Sequence, residues 1–263
     1  MTRLSWLPDI LSDAGLKVSV EPGWDTRGSA VLFSPRVIVD HGTAAKASRA
    51  NPFPSRRVVT AGRSDLKGPL CNVLTSYGNR VHVVASGQSN NAGAGGWPAY
   101  SASANRHTIG NEMEHDNLSP VPTELKEAMA LVDGAICRHL KWSPERCIAH
   151  KEWAPRRKID PSWDQDGHRA RVRGVIGALD HKALLANPPR GFMASYNTRR
   201  QAGRDLLVRL YDRYAGRKPD DGGHAYWEDL IDLAAAKDAL ANDALDTNVN
   251  AILLVVQQGL EKE

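Results

Sequence analysis

The segment AHKEWAPRRKIDPSWD, residues 149–164, decides which fold is expected for this chain. It follows a short apolar run and places His150 ten positions before Asp160, with Lys158 two positions before that aspartate. Neutral imidazole and carboxylate are both ligands of Zn²⁺, and a neighbouring lysine can neutralise an oxyanion forming on a metal-bound substrate. Two ligands do not complete a zinc site, so this interpretation requires a third.

His41 is the candidate for the third ligand. It follows the apolar run RVIVD, residues 36–40, which predicts a buried strand ending at this histidine. The carboxyl edge of the sheet is where α/β proteins usually place their sites. His150 also follows a short apolar strand, so both imidazoles are expected at this edge. Together with Asp160 they give three protein ligands and leave a fourth position for water, as in catalytic zinc sites.

The rest of the chain alternates between strand-like and helix-like segments. Gly78-Asn79 joins two β-rich runs, which predicts a hairpin. Residues 46–64 and 86–105 are rich in turn-forming residues and are expected to be long loops. This alternation predicts an α/β fold, with a sheet flanked by helices. The predicted strands are 36–40, 70–77, 80–85, 107–114 and 147–150, and the predicted helices of this part are 6–16, 122–141 and 165–179.

Three motifs carry a resemblance to a known family. They are His-x-Thr-Ala at residues 41–44, Gly-x-Glu at 110–112, and Arg-Lys-x-Asp-Pro at 157–161. Together they resemble the type 2 N-acetylmuramoyl-L-alanine amidases, whose fold is shared with peptidoglycan recognition proteins. The resemblance covers about residues 28–179 and is closest to the amidase modules of actinobacteriophage endolysins. It implies a mixed central β-sheet, zinc as the cofactor and the following site: metal ligands His41, His150 and Asp160, and catalytic groups Glu112 and Lys158.

The general base has alternatives in the sequence. Glu114 is expected on the same strand face as Glu112, and His115 and Asp116 follow closely. The Gly-x-Glu motif favours Glu112. Asn111 stands where the family usually has an apolar residue, which affects the expected local register.

Two further residues compete with Asp160 as the third ligand. They are Asp164 and His168, which come shortly after it. Asp164 lacks the preceding lysine and the following proline that accompany Asp160, so Asp160 is favoured.

Three residues are candidates for binding substrate. Asn91 lies where the family segment usually has histidine, and an amide can hydrogen-bond a sugar or peptide but cannot titrate. Trp97, in the Gly-rich loop, and Trp153, between the ligand candidates, are expected to stack on sugar faces or to line a peptide groove.

We expect three parts along the chain: an amidase domain at residues 1–186, a linker at 187–192, and a small all-α domain at 193–263. The last part contains three helical patterns, at 198–215, 225–241 and 246–261. Cell-wall targeting or oligomerisation is its expected role. Its arginines recur at nearly helical spacing and predict either a basic stripe or an ordinary solvated face: Arg200, Arg204, Arg209, Arg213 and Arg217.

The composition of the chain limits the kinds of binding partner that we expect. The net charge of +4 favours an anionic partner such as a cell-wall polymer or nucleic acid. No apolar run reaches membrane-spanning length, and polar residues interrupt the N-terminal segment where a signal peptide would be apolar.

The leading expectation is a phage endolysin that acts on bacterial peptidoglycan, with no nucleic-acid partner and no stable membrane insertion, held in the host cytoplasm until release. A non-catalytic peptidoglycan-binding protein of the same fold is the alternative, and a nucleic-acid-binding protein is a third hypothesis.

Overall fold

The structure is a computed structural model that describes residues 3–187, 192–215, 221–241 and 248–249. Within these ranges there are seven α-helices and ten strands. The helices are α1 (Leu7–Asp13), α2 (Arg56–Ala61), α3 (Thr123–Leu140), α4 (His150–Trp153), α5 (Gln165–Ala186), α6 (Phe192–Ala215) and α7 (Asp221–Ala241). The strands are β1 (Lys17–Val20), β2 (Val37–Gly42), β3 (Gly62–Arg63), β4 (Leu66–Lys67), β5 (Val73–Ser76), β6 (Arg80–Val83), β7 (Gly96–Trp97), β8 (Ala102–Ser103), β9 (Thr108–Met113) and β10 (Cys147–Ala149).

Six strands form a mixed central sheet in the order β1-β6-β5-β9-β2-β10. β5, β9, β2 and β10 run parallel to one another, while β6 is antiparallel to β5 and parallel to β1. The predicted fold class, an α/β sheet flanked by helices and followed by further helices, is therefore confirmed.

The predicted hairpin is also present. Ser76 of β5 pairs with Arg80 of β6, and both Gly78 and Asn79 in the connecting turn have positive φ, 72° and 54°. Glycine and asparagine are the residues that adopt this backbone region most readily. The Gly-Asn pair thus reverses the chain and gives the sheet its antiparallel pair.

The two segments predicted as long loops contain regular structure. Residues 46–64 include α2, whose Val59 is buried in an apolar cluster with Leu70 and Leu74. Residues 86–105 include the short β7–β8 hairpin. The prediction was wrong here because one buried residue in a short helix, or a two-residue strand, leaves too little apolar periodicity to detect. β1 was missed for the same reason, since its four side chains are mostly exposed.

The two faces of β2 have different neighbours. Side chains alternate along a strand, so Val37, Val39 and His41 share one face and Asp40 points to the other. Val37 and Val39 pack in a cluster with Ile148 of β10. This alternation places the imidazole and the carboxylate of consecutive residues in different environments.

The chain divides into two compact units, Met1–Ile176 and Gly177–Glu263. The division falls within α5, ahead of the predicted linker at 187–192, of which residues 188–191 lie outside the described residues. In the second unit α6 and α7 pack on a buried cluster that includes Leu207, Tyr211 and Ile231. The predicted third helix, 246–261, lies outside the described residues except for Asn248 and Val249.

The arginines of the second unit are partly accounted for by ion pairs. Arg200 and Arg204 both lie beside Asp232 of α7, at 2.6 and 3.4 Å. The side chains of Arg213 and Arg217 are outside the described part of the chain. Among the described helices of both units, none combines the length and apolar character that a membrane span requires.

Candidate metal and catalytic site

The register of the central sheet brings the predicted site residues to one edge. His41 of β2 is paired with Glu112 of β9. On the other side of β2, Asp40 is paired with Ala149, the last residue of β10, and His150 follows directly. Three parallel strands therefore end together with two imidazoles and one carboxylate.

The three predicted metal ligands converge. Nδ1 of His41 lies 2.8 Å from Nδ1 of His150, which is 3.1 Å from Oδ2 of Asp160. The distance from Nδ1 of His41 to the same Asp160 oxygen is 3.5 Å. Both imidazoles are buried, at 2% and 3% exposure. Two facing imidazole nitrogens next to a carboxylate oxygen form the kind of donor set that binds Zn²⁺.

Hydrogen bonds outside the trio favour the tautomer of His150 that a metal requires. Nε2 of His150 lies 3.2 Å from the carbonyl oxygen of Ala92, so this nitrogen carries the proton and leaves Nδ1 as a lone-pair donor. Arg157 donates to the same carbonyl at 2.8 Å and to that of Ala94 at 2.7 Å. The motif had suggested no role for this arginine, which anchors the loop supporting His150.

Asp160 is also held by its backbone. The N–H of Lys151 donates to the Asp160 carbonyl at 2.8 Å, which links the segment to the first turn of α4, where His150 lies. The ligands are therefore fixed relative to each other by sheet pairing on one side and by this hydrogen bond on the other.

Protonation states in the trio suit a cation. Burial lowers the pKa of His41 to about 4, even though Asp160 opposes this shift, so His41 is neutral near pH 7. Burial acts to raise the pKa of Asp160, but the contacts of its Oδ2 with the rings of His150 and His41 outweigh it and hold that pKa well below its ordinary value. A neutral imidazole and an ionised carboxylate are the forms that bind metal.

Glu112 has the properties of a general base. Its side chain is partly buried, and its Oε2 is shielded from solvent with no hydrogen-bond partner among the described residues. Burial raises its pKa to about 8, with the nearby charges of Asp160 and Glu114 adding to the shift and Lys158 opposing it. A base whose pKa lies near the working pH transfers protons efficiently in both directions.

Glu114, the alternative base, has both carboxylate oxygens occupied. Oε1 accepts from the backbone N–H of Ser55 at 3.0 Å, and Oε2 accepts from the hydroxyl of Thr43 at 3.0 Å. The side chain is fully buried. Glu114 thus links the start of α2 to the segment that follows His41, and this geometry favours Glu112 as the base.

His115 and Asp116, also considered as bases, are engaged in the loop after β9. Nδ1 of His115 accepts from the backbone N–H of Asn117 at 3.0 Å. Oδ1 of Asp116 accepts from the backbone N–H groups of Leu118 and Ser119, both at 3.0 Å. These contacts order the loop, whereas Oε2 of Glu112 has no hydrogen-bond partner within the described part of the chain.

The predicted site opens into a cleft of about 710 Å³. The metal-ligand trio and Glu112 form part of its wall, and Lys158 lies on the same wall close to Asp160. Arg63 is also in the wall and pairs with Asp65 at 3.0 Å. The cleft therefore holds the three candidate ligands, the candidate base Glu112 and two cationic side chains around a single volume.

Comparison with known proteins identifies the family. Residues 32–163, half of the chain, match the family model of N-acetylmuramoyl-L-alanine amidase. The chain belongs to this amidase family. No curated protein sequence matches the chain.

Solved structures similar to this amidase share little sequence with it. A selenomethionine derivative of AmpD has 16% identity over 61% of this chain and 94% of its own, with a TM-score of 0.44. A mutant endolysin from Bacillus subtilis has 17% identity over 60% and 99%, with a TM-score of 0.42. The N-acetylmuramoyl-L-alanine amidase LysCS from Clostridium intestinale has 13% identity over 60% and 95%, with a TM-score of 0.41.

The alternative ligands lie elsewhere in the amidase. Oδ2 of Asp164 accepts from the backbone N–H of Gly167 at 2.9 Å and so caps the start of α5. His168 is buried, and its Nε2 lies 2.7 Å from Oδ2 of Asp133 on α3. Neither residue lines the cleft, so Asp160 is the aspartate that the fold brings to the two histidines.

The three predicted substrate-binding residues are separated by the fold. Asn91 lines the cleft, although its amide is hydrogen-bonded to Ser89 and Thr108. Trp97 lies in a different pocket together with Tyr100. Trp153 is 1% exposed, packs in the core beneath β2 and donates to the carbonyl of Gly93 at 3.3 Å. Its packing leaves no ring face for a sugar.

A buried polar network on the opposite face of the sheet was not predicted. His168 contacts Asp133 and lies 3.6 Å from Asp40, the residue before the ligand His41. The amide of Gln165 donates to Asp40 at 2.7 Å. Burial raises the pKa of Asp133 to about 7 and lowers that of His168. The sequence feature that could have indicated this network is Asp40, an aspartate at the end of an apolar strand.

Asn111 belongs to this network. Its amide donates to Oδ1 of Asp133 at 2.9 Å and its carbonyl accepts from the hydroxyl of Thr75 at 2.8 Å. All three side chains are fully buried. The polar residue at this family position is therefore explained by its hydrogen bond to a buried aspartate on α3. The strand register is not shifted, so Glu112 lies in the cleft as expected.

Proposed function

We propose that this chain is a zinc-dependent amidase that hydrolyses the bond between N-acetylmuramic acid and L-alanine in bacterial peptidoglycan. Family membership supports the reaction. The observation that carries the zinc requirement is the convergence of Nδ1 of His41, Nδ1 of His150 and Oδ2 of Asp160 within 3.5 Å, beside the unpartnered carboxylate of Glu112.

Zinc would be held by His41, His150 and Asp160. The donor set fits, because two neutral imidazoles and one carboxylate leave a coordination position open. When bound, the ion supplies Lewis acidity at the scissile carbonyl and lowers the pKa of a water molecule.

The amidase's own residues perform the proton transfers and stabilise charge. Glu112 accepts a proton from the attacking water and later donates one to the departing amine, which its raised pKa favours. The ammonium of Lys158, in the same cleft, stabilises the negative charge that develops on the carbonyl oxygen. Removal and return of one proton by the same carboxylate completes the hydrolysis.

The biological role proposed for the chain is that of a phage endolysin. The motif resemblance to actinobacteriophage amidase modules supports it. In this role the enzyme stays in the cytoplasm of the infected host until it is released to the wall. For the helical part that follows the amidase domain, we propose wall targeting or oligomerisation.

The test combines metal analysis with product analysis. The purified chain should contain about one zinc per molecule and should release peptides with a free N-terminal alanine from peptidoglycan. Chelation should abolish the release, and added zinc should restore it. Intact muramyl-alanine linkages in the digest, as seen by mass spectrometry, would refute the amidase and favour a protein of this fold that only binds peptidoglycan.

A further inference from the structure

Exposed apolar side chains are concentrated at the cleft. Nine large apolar residues of the described chain are exposed, and four of them line this one cleft. Leu118 and Ile159 are the most exposed of all nine, at 92% and 87%. Val58 and Leu66, at 46% and 37%, complete the set. Single exposed apolar residues are ordinary, but a group around one cleft marks a binding surface.

The backbone holds Leu118 in its exposed position. Its N–H donates to Oδ1 of Asp116 at 3.0 Å, and the amide of the preceding Asn117 donates to the carbonyl of Gly42 at 3.0 Å. Gly42 directly follows the ligand His41. The leucine is therefore presented beside one metal ligand by an ordered loop.

Ile159 is held in a comparable way beside another ligand. The N–H of the preceding residue, Lys158, donates to the carbonyl of Ala154 at 2.9 Å. The carbonyl of the following residue, Asp160, accepts from the N–H of Lys151 at 2.8 Å. Both neighbours of the isoleucine are fixed, so its side chain is kept exposed between Lys158 and Asp160.

We infer that Leu118 and Ile159 contribute to substrate binding by contacting the apolar groups next to the scissile amide. This inference rests on the proposed function, in which a lactyl methyl group and an alanine methyl group flank that amide. Both side chains line the cleft that also holds His41 and Asp160, so a substrate whose carbonyl lies at the proposed ligands has its neighbouring groups in the same cleft. Substrate binding removes their apolar surface from water, which favours association.

The occupant of this surface is the substrate because the apolar side chains share one volume with Glu112 and Lys158. A binding contribution that is the same in the ground state and the transition state changes KM and leaves kcat unaltered. Leu118 and Ile159 are accordingly expected to act on KM. Neither residue carries a group that could take part in proton transfer.

The experiment compares Leu118→Ser, Ile159→Ser and the double variant with Leu32→Ser as a matched control. Leu32 is 77% exposed and does not line the cleft. Kinetics are measured on a soluble muramyl-peptide fragment, together with zinc content. Each cleft variant should raise KM about tenfold with kcat within about twofold. Zinc content should not change, and Leu32→Ser should match the parent protein.

A second measurement separates this inference from the proposed function. Binding of the same fragment is measured by calorimetry in a Glu112→Gln background, where it is not consumed. An unchanged KM and an unchanged affinity in the double variant would overturn the inference while the amidase remains. A parent protein that does not cleave but whose affinity falls in the cleft variants would overturn the proposed function and retain the inference. A parent that neither cleaves nor binds the fragment would overturn both.

Discussion

His41 and Glu112 are direct partners across the parallel strands β2 and β9. The residues proposed as a metal ligand and as the general base are thus fixed next to each other by backbone hydrogen bonds. Because side chains alternate along a strand, a shift of register by one residue would turn Glu112 away from the cleft. The spacing between His41 and Glu112 is therefore a property of the sheet.

Glu112→Gln should separate metal binding from turnover. The amide cannot accept the proton of the attacking water, so kcat should fall by about 10² to 10⁴. Zinc content should stay near that of the parent, because Glu112 is not in the ligand trio. Zinc content and product release are measured on one preparation, so that the loss of turnover can be compared directly with the amount of metal bound.

Glu114→Gln is the comparison for that experiment. It leaves Glu112 intact and weakens one of the two hydrogen bonds that tie Ser55 and Thr43 to Glu114. A moderate loss of activity is expected. Normal turnover in Glu112→Gln combined with complete loss in Glu114→Gln would assign the base to Glu114.

Asp160→Asn should weaken the metal site. The carboxylate is the only anionic member of the trio, and its loss should reduce zinc affinity by more than the roughly 10- to 100-fold that the loss of a residue supporting a ligand costs. Competition with a chromophoric chelator measures this. Asp164→Asn is the control, because asparagine can also cap α5 and Asp164 does not line the cleft. Equal zinc loss in both variants would contradict the assignment of Asp160.

The grouping of the three candidate ligands with Glu112 and Lys158 around one cleft could be predicted because these residues follow strong local signals. His150 directly follows the apolar strand β10, His41 lies at the end of the largely apolar strand β2, and parallel strands bring their carboxyl ends to one edge. Stacking residues could not be predicted in the same way. Whether Trp153 faces the core or the cleft depends on the packing of the loop around Gly93 and Gly95, which no local pattern specifies.

The partners within the buried polar network could not be predicted from the sequence for a related reason. A polar residue in an apolar strand indicates a buried partner but does not name it. The helical partners of Asn111 and Asp40 are Asp133 on α3 and Gln165 on α5, which lie 22 and 125 residues away in the chain. Only the packing of these helices on the sheet reveals them.

Asn111→Leu should destabilise the fold even though leucine suits a strand. It removes the partner of the Thr75 hydroxyl and one donor to the buried Asp133 carboxylate. Leaving buried polar groups unpaired costs about 1–3 kcal/mol of free energy of unfolding. Urea titration measures the difference, with the exposed Asn51→Ala as a control expected to change little. A variant as stable as the parent would show that Asn111 is not needed by the network.

Acid stability should depend on Glu21. Arg56 donates to its Oε2 at 2.7 Å and His82 lies 2.9 Å from the same oxygen. The Arg56 hydrogen bond, together with His82 and against burial, lowers the pKa of Glu21 from 4.5 to about 2. A carboxyl whose pKa is lower in the folded state adds stability above its unfolded pKa, and this stability is lost as pH falls.

Glu21→Gln tests this dependence. Arg56 is half-exposed, so solvent screening reduces the expected effect to about 1 kcal/mol of free energy of unfolding at pH 7. The difference between the variant and the parent should begin to shrink as pH falls below 4.5 and should vanish near pH 2. Asp65→Asn, which breaks the pair with Arg63, should show a much smaller pH-dependent difference, because both side chains of that pair are exposed to solvent. A difference that stays constant from pH 7 to pH 3 would mean that Glu21 stabilises the fold by packing, because only the charged pair is sensitive to protonation of this carboxylate.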